Sequence, residues 1–398
     1  MVEMTSVPIL EEVDRVPGRP DITAWRRAAR LHQHLWREQH GWPVGAQRRP
    51  ARLGGGSRPV GSRVDDEVAI ELGTNFLDTS ALDAAHHRLA NPQPFQTLDE
   101  AGLHADLLNS LALACNLFGP MWADERTALA AAERWFRDVA GTSQSCTVEF
   151  EWSPGRRNRR WLDDTTSFDT AFLLGGSGGT RLIGIDVRYH EFPEPQPLLT
   201  GVGERQLQRR PGDRLIQVTE QAELFRNPQW LDLVFGTELE KIWRAHALVH
   251  AHLQAGEVDS GLYVLVAPSA NRGWAEAADS YQRMLSARTR ATFAFRTVEE
   301  LLEQAGPLIP YGDELRERYV DVSVQHAAAA AKPTASKRTG AQLYVIGEVD
   351  GLPAVKIGVS DRPRSRLSDI AIGNPRELEL LYAEPLANVR WVEHVLQH

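Results

Sequence analysis

Hydrophobic and polar positions change period several times along the chain, and each change marks an element. From Ile22 to His40 apolar residues recur at helical spacing. Trp25, Ala28, Leu31 and Leu35 form the stripe, Thr23 stands where an N-cap belongs, and Gly41 ends the run. Residues 97–121 predict a long apolar helix broken at Gly119-Pro120, with Thr97 and Glu100 spaced as a capping box. A second helix is expected over 124–138. The period then drops to two. Thr147 to Trp152 alternates, with Val148, Phe150 and Trp152 on one face and Glu149 and Glu151 on the other. Residues 167–174 and 181–189 predict two more strands, joined by a turn over Gly175–Gly179. A helix over 237–255, an apolar strand from Leu262 to Ala267 and a helix over 297–305, capped by Thr297 and Glu300, complete the unit. This order predicts an α/β core, with helices packed on a mixed sheet.

Two of these strands break the apolar rule. Phe168-Asp169-Thr170-Ala171-Phe172 contains a lone carboxylate, and Ile185-Asp186-Val187-Arg188-Tyr189 a carboxylate and a cation two residues apart. Strand alternation puts Asp186 and Arg188 on one face and Ile185, Val187 and Tyr189 on the other. Such charges are costly to bury without partners. Two carboxylates and a cation on one sheet face suit a divalent metal held against a phosphodiester.

The chain has 398 residues, enough for about two to three domains. Residues 1–20 are acidic and contain proline. They read as a disordered start and lack the basic residues and apolar run of a secretory signal. No apolar run is long enough to span a membrane. Only Cys115 and Cys146 occur, which excludes a disulfide framework and a thiolate zinc site, so a cytosolic protein is expected. A net charge of −9 confines any nucleic-acid binding to local basic patches. Nine arginines fall between Asp21 and Arg63, interleaved with Trp25, Trp36 and Trp42. From this patch Arg26 and Arg30 are expected to contact nucleic acid. Arg156 and Arg157, in the basic turn after the first strand, are expected to do the same; the alternative for the patch is a solvated helix face. Gly54-Gly55-Gly56-Ser57 lacks the Gly-Lys-Ser/Thr of a phosphate-binding loop, so any ATPase would be a partner. His246 and His250 have the i, i+4 spacing of zinc ligands but no Glu follows His246 and no third ligand is apparent. Lining the pocket beside Asp186, or core packing, is expected instead. Lys241 and Arg244 on the same helix could contact phosphate, but a solvated face is the expected reading. His326 to Gly340 is a linker, rich in Ala, Lys, Thr and Ser. It separates a first domain over 21–325 from a module over 341–398. In that module a hairpin is expected from Leu343–Ile346 and Ala354–Gly358, then helices near 363–371 and 386–397.

With these elements placed, residues 97–270 resemble the PD-(D/E)XK nuclease superfamily. The strings that carry the resemblance are Phe150-Glu151-Trp152-Ser153-Pro154-Gly155-Arg156-Arg157, Phe168-Asp169, and Ile185-Asp186-Val187-Arg188-Tyr189-His190-Glu191. They resemble most a bacterial restriction-endonuclease-like branch, over about Trp25 to Tyr319. The resemblance implies that Asp169 is the first metal-binding acid and Asp186 the second, with Arg188 in the place of the usual Lys. Glu151 is either a third ligand or part of a solvated strand face. It further implies Mg2+ or Mn2+, a DNA substrate and a role in restriction or anti-phage defence; a second copy of the chain and an ATPase are the protein partners considered. Two departures matter. Arg cannot deprotonate in a protein, so Arg188 can stabilise charge but cannot act as a base. Asp186 is one methylene shorter than the Glu common at that position.

The C-terminal strings Leu343-Tyr344-Val345-Ile346, Lys356-Ile357-Gly358-Val359-Ser360, Arg362-Pro363-Arg364-Ser365-Arg366-Leu367 and Gly373-Asn374-Pro375 resemble a divergent GIY-YIG nuclease module. That resemblance implies Tyr344 in nucleophile activation, Arg366 on phosphate and Glu393 on a metal. Lys356 replaces a Tyr and would put a cation near phosphate. Three functions follow: a metal-dependent DNA endonuclease, a degenerate nuclease fold that binds DNA or a partner without cutting, and a metal-dependent RNase or tRNA-directed toxin.

Overall fold

The computed structural model describes residues 24–48, 56–194, 211–322, 342–348, 355–360 and 378–385. The chain divides into two compact units, Met1–Ala330 and Ala331–His398. The expected disordered start, the linker, the helices near 363–371 and 386–397, and Arg366 and Glu393 lie outside the described residues.

Among the described residues of the first unit, the helix Ala24–Gln39 comes first, followed by β1 (Val44–Arg48) and β2 (Ser57–Val64), an antiparallel pair. The Gly and Pro content of this basic stretch leaves no alternating pattern from which the pairing could be read. Five further strands form one mixed sheet in the order β3 (Ser145–Trp152), β4 (Phe168–Gly175), β5 (Arg181–Val187), β6 (Ser260–Ala267) and β7 (Phe293–Thr297). β3, β4 and β5 pair antiparallel, whereas β5–β6 and β6–β7 are parallel. A short turn over 176–180 joins β4 to β5, a longer loop over 153–167 joins β3 to β4, and helices carry the two parallel crossovers. β7 and the crossover helix Arg272–Met284 escaped the sequence reading. β7 is only five residues long, and Thr297 ends the strand while capping the next helix.

Each face of the sheet is covered. Phe150, Phe172, Ile183, Ile185, Val187, Val264 and Val266 belong to one core with the helices Ser110–Ala123, Glu125–Trp135 and Val298–Ala305. Ala171, Leu182, Tyr263 and Leu265 belong to the other, with Asp213–Gln221, Glu240–Gln254 and Arg272–Met284. Trp152 packs with this second core, not with Val148 and Phe150 as alternation predicts, because Glu151 adopts φ +46° and breaks the period.

The helix expected over 97–121 is two helices, Glu100–Ala105 and Ser110–Ala123. Asp99, not Thr97, caps the first through the Gly102 N–H, and Asn109 caps the second through the Ala112 N–H. The second helix runs through Gly119-Pro120 without breaking. Pro120 cannot donate to the Asn116 carbonyl four residues back, and the Tyr311 hydroxyl donates there instead, at 2.9 Å. Gly119 lies against the backbone of Ala81, where a Cβ would come within 2.7 Å, so only glycine permits this helix contact. The predicted Thr297–Glu300 capping box is present.

In the second unit β8 (Gln342–Glu348), β9 (Val355–Ser360) and β10 (Leu378–Pro385) form an antiparallel sheet in the order β10-β8-β9. The β8–β9 pair is the expected hairpin. The side chains of Tyr344 and Lys356 lie outside the described ones.

The three histidines of the Glu240–Gln254 helix are core residues. His246 and His250 share the Thr292 hydroxyl, at 2.8 and 3.0 Å, and His252 is packed between the rings of Trp152 and Trp161. Burial, helped by Arg288 and Arg160 respectively, pushes His250 and His252 down to about 4. Unfolded, both titrate near 6.5. The unfolded chain therefore binds more protons between pH 4 and 6.5. The stability these neutral rings give is complete above that window and lost as pH falls through it. We expect His250→Gln combined with His252→Gln to flatten the acid limb of a denaturant-derived stability curve, by about 1–3 kcal/mol per pH unit in mid-window. An unchanged slope would refute this.

Candidate active site

The site lies where β4 and β5 meet on the second core's face. Thr170 pairs with Ile185, and one step on, the same register sets Asp169 opposite Asp186. On the other side of β4, Phe150 pairs with Thr170 and Trp152 with Phe168, which sets Glu151 opposite Asp169. Residues opposite one another in an antiparallel ladder share a face. Glu151, Asp169 and Asp186 thus form a carboxylate row across three adjacent strands.

Arg188, one residue past β5, joins two members of the row. Its Nη1 donates to Asp169 Oδ2 at 2.9 Å and its Nη2 to Asp186 Oδ2 at 2.8 Å. The planar fork spans both carboxylates, which the single point charge of a Lys could not do with the same fixed geometry. Asp169 Oδ2 also accepts from the Val187 N–H at 2.8 Å, and Asp186 Oδ2 from the Tyr263 hydroxyl at 3.1 Å. Asp186 is nearly closed off, with its side chain 5% exposed, but Asp169 and Arg188 keep 17% each, so the row opens to solvent at its edge. Glu151 is held separately. Its Oε2 accepts from Arg156 Nη2 at 2.7 Å and from Ser167 at 3.0 Å.

The electrostatics follow from this crowding. Burial drives the Asp169 carboxyl up to about 7; Arg188 pulls it down, and Asp186 and Glu151 push it up further. Burial raises Glu151 as well, opposed by Arg156 and Ser167. Burial disfavours the charge on Arg188, but Asp186 and Asp169 outweigh it and hold the guanidinium firmly protonated. Burial and Asp186 together raise the Tyr263 phenol.

The segment after Arg188 is gripped on three sides. Trp25 Nε1 and Asn271 donate to the Tyr189 carbonyl, and Asn271 and Trp274 to the Glu191 carbonyl. The Ser110 hydroxyl donates to the Glu191 carboxylate at 2.6 Å and accepts from the Tyr189 N–H at 3.0 Å. Trp274 lies 5.8 Å from the Arg188 guanidinium.

Among the described residues, Asp169 Oδ1 and Glu151 Oε1 accept no hydrogen bond, and Asp186 Oδ1 receives only a 3.4 Å approach from the Asp169 N–H. Each carboxylate of the row thus keeps one oxygen. Hard oxygen donors of this kind fit a divalent cation that takes one or two protein carboxylates and completes its shell with water and phosphate. Among the described residues no group of three or more His, Cys, Asp or Glu is placed to hold a metal ion, so the row as it stands offers at most two protein carboxylates to one ion.

Other predicted contacts fall differently. Arg26 and Arg30 are only 7% and 6% exposed, and Arg26 pairs with Glu194 at 3.3 Å. Trp25, Trp36 and Arg37 are buried too, so these helix residues are internal packing rather than an open phosphate surface, whereas Arg27 is exposed. Arg156 is 7% exposed and spent on Glu151 and Gln93, whereas Arg157 is exposed. Arg244 is not a solvated charge. It pairs with Glu240 and Asp164, each at 2.8 Å. His246 packs in the core, bonded to Tyr281 and Thr292. Tyr263, Ser167 and Gln93 were missed. Only Tyr263 left a signal, as a phenol in a strand otherwise made of apolar residues.

A family model described as the PD-(D/E)XK nuclease superfamily matches residues 20–321, which cover the helix Ala24–Gln39, the whole five-stranded sheet and the carboxylate row, and stop before the second unit. No curated protein and no solved structure matches the chain significantly. Removing the fork isolates two facing carboxylates. We expect Arg188→Leu to lower stability at pH 8 by about 3 kcal/mol, and by clearly less at pH 5, where Asp169 is protonated. Equal losses at both pH values, measured by urea unfolding, would contradict this account.

Proposed function

The chain belongs to the PD-(D/E)XK nuclease superfamily, and on that premise we propose that it is a metal-dependent endonuclease that hydrolyses the phosphodiester backbone of DNA. The carrying observation is the carboxylate row: three acids on adjacent strands, on one face, each with an uncommitted oxygen beside a fixed guanidinium. Asp169 and Asp186 would hold Mg2+ or Mn2+, with Glu151 beside them. The ion would supply a water of lowered pKa and neutralise charge on the phosphate. Arg188 stays protonated and acts electrostatically on the phosphate, never as the base. Tyr263 fixes the Asp186 carboxylate from below.

A second reading has its own observation. The guanidinium already satisfies one oxygen of each aspartate, as a non-cutting DNA-binding descendant of a nuclease would have it. The second unit enters the reading as a GIY-YIG-like appendage, with the β8–β9 pair setting Tyr344 opposite Gly358. A role against foreign DNA rests on analogy with other nucleases of this fold.

Supercoiled plasmid incubated with Mg2+ or Mn2+ separates these readings. The wild type should nick or linearise it, chelation should stop the reaction, and Asp169→Ala should slow it by at least about 10²-fold. Equal cleavage by wild type and Asp169→Ala would overturn the site. Binding without metal-dependent cleavage would favour the second reading, and preferential cutting of RNA would replace the substrate.

A further inference from the structure

Among the described residues, five non-glycine residues adopt positive φ: Phe95 (+61°), Glu151 (+46°), Arg157 (+55°), Asp163 (+58°) and Glu223 (+50°). Such a backbone is costly for bulky side chains and tends to persist where function requires it. Four of the five sit at the end of β3 or in two loops tied to it, one following the helix Thr79–Ala90 and one joining β3 to β4. Gln93 fastens the two loops together. Its Oε1 accepts from the Ser153 N–H at 3.2 Å and from Arg156 Nη1 at 2.5 Å, while Arg156 Nη2 holds the Glu151 carboxylate. The Arg157 N–H is in turn fixed on the Asp164 carbonyl at 2.6 Å.

The residues next to this clasp face outward. Phe95 is 58% exposed, and the Arg157 guanidinium lies over its ring, 4.9 Å from the centroid. Arg157, Arg159 and Arg160 are all exposed on the same loop. A ring so exposed contributes little to the core. Its strained backbone and its cationic neighbour nevertheless keep it in one place. Phe95 is two residues from Gln93, and Arg157 is next to Arg156, so the pair stands within about 7 Å of chain from the groups that hold Glu151.

From this juxtaposition we infer that Phe95 and Arg157 form a grip for an unpaired nucleobase, with Phe95 stacking on the base and Arg157 holding the adjoining phosphate. The inference rests on the nuclease reading and deepens it by naming the form of the substrate that is gripped: a strand with a base out of its helix, beside the carboxylate row. An aromatic ring stacks on any base, so the grip is sequence-tolerant, and the arginine makes it salt-dependent.

The test uses the full chain without divalent metal, so that no cleavage occurs, and a single-stranded oligonucleotide carrying one 2-aminopurine. The wild type should bind and quench the fluorophore. Phe95→Ala should bind about tenfold more weakly and lose the quench, while Phe95→Trp should keep both. Arg157→Ala should weaken binding and reduce the salt slope by about one. Thermal unfolding of all variants should match the wild type. Wild-type binding and quenching by Phe95→Ala would overturn the grip alone, as would equal loss in Phe95→Ala and Phe95→Trp. A wild type that binds no nucleic acid, single- or double-stranded, would overturn the grip and the nuclease reading together.

Discussion

One guanidinium shared between two buried carboxylates is the constraint around which the first unit is arranged. Asp169 and Asp186 face each other from adjacent strands whose other positions are mostly apolar. Left alone, two such charges repel, and each pays for desolvation. The Arg188 fork answers both penalties at once, because each of its terminal nitrogens reaches a different carboxylate. The arrangement is a weak source of stability, since burying three charged groups costs nearly what their attraction returns. What it fixes is geometry. The two acids hold one orientation; among the described residues Asp169 Oδ1 accepts no hydrogen bond, and Asp186 Oδ1 receives only a 3.4 Å approach from the Asp169 N–H.

That geometry is transmitted outward through Tyr189 and Glu191. The first helix donates to this segment from Trp25, and Gln33 of the same helix reaches the Tyr189 hydroxyl at 2.9 Å. Gln33 also bonds the Arg318 carbonyl at 2.8 Å, so the last helix of the unit, Gly312–Tyr319, closes on the first. Arg318 itself is fully buried, with Asn75 and Gln33 as polar partners and the rings of Trp36 and Tyr319 beside it. This explains why the arginine-rich first helix is internal. Its polar side chains bind backbone carbonyls and side chains of distant segments, and the family match from residue 20 to 321 encloses these mutual contacts.

How much of this could be read from the sequence depends on the range of the interactions involved. Strand alternation and two misplaced acids were enough to find β4, β5 and the aspartates, because period and local composition are short-range properties. The Thr297 capping box was legible for the same reason. The arginine patch misled, because nothing local separates an arginine that faces solvent from one that pairs with Glu194 across 168 residues. Pro120 was read as a break, since the hydroxyl that satisfies the freed Asn116 carbonyl comes from Tyr311, 195 residues away. Tyr263 and Gln93 join the site by the same kind of distant contact. The left-handed backbone of Glu151, which sends Trp152 to the other core, has no signature in an alternating string.

An arginine rather than a lysine at position 188 limits what the site can do more than its charge suggests. A lysine presents one point charge on a flexible stem and can give up a proton. The arginine is locked by both aspartates, and its Nε has no hydrogen-bond partner. It therefore cannot move a proton. To approach a phosphate with more than its edge it must loosen one of its two carboxylates. Asp169 and Asp186 would be the residues to hold a divalent ion, which would supply positive charge beside that of the guanidinium. The ring of Trp274, 5.8 Å away, gives the guanidinium an aromatic neighbour as well as its two carboxylates, so the fork is held in place from both sides.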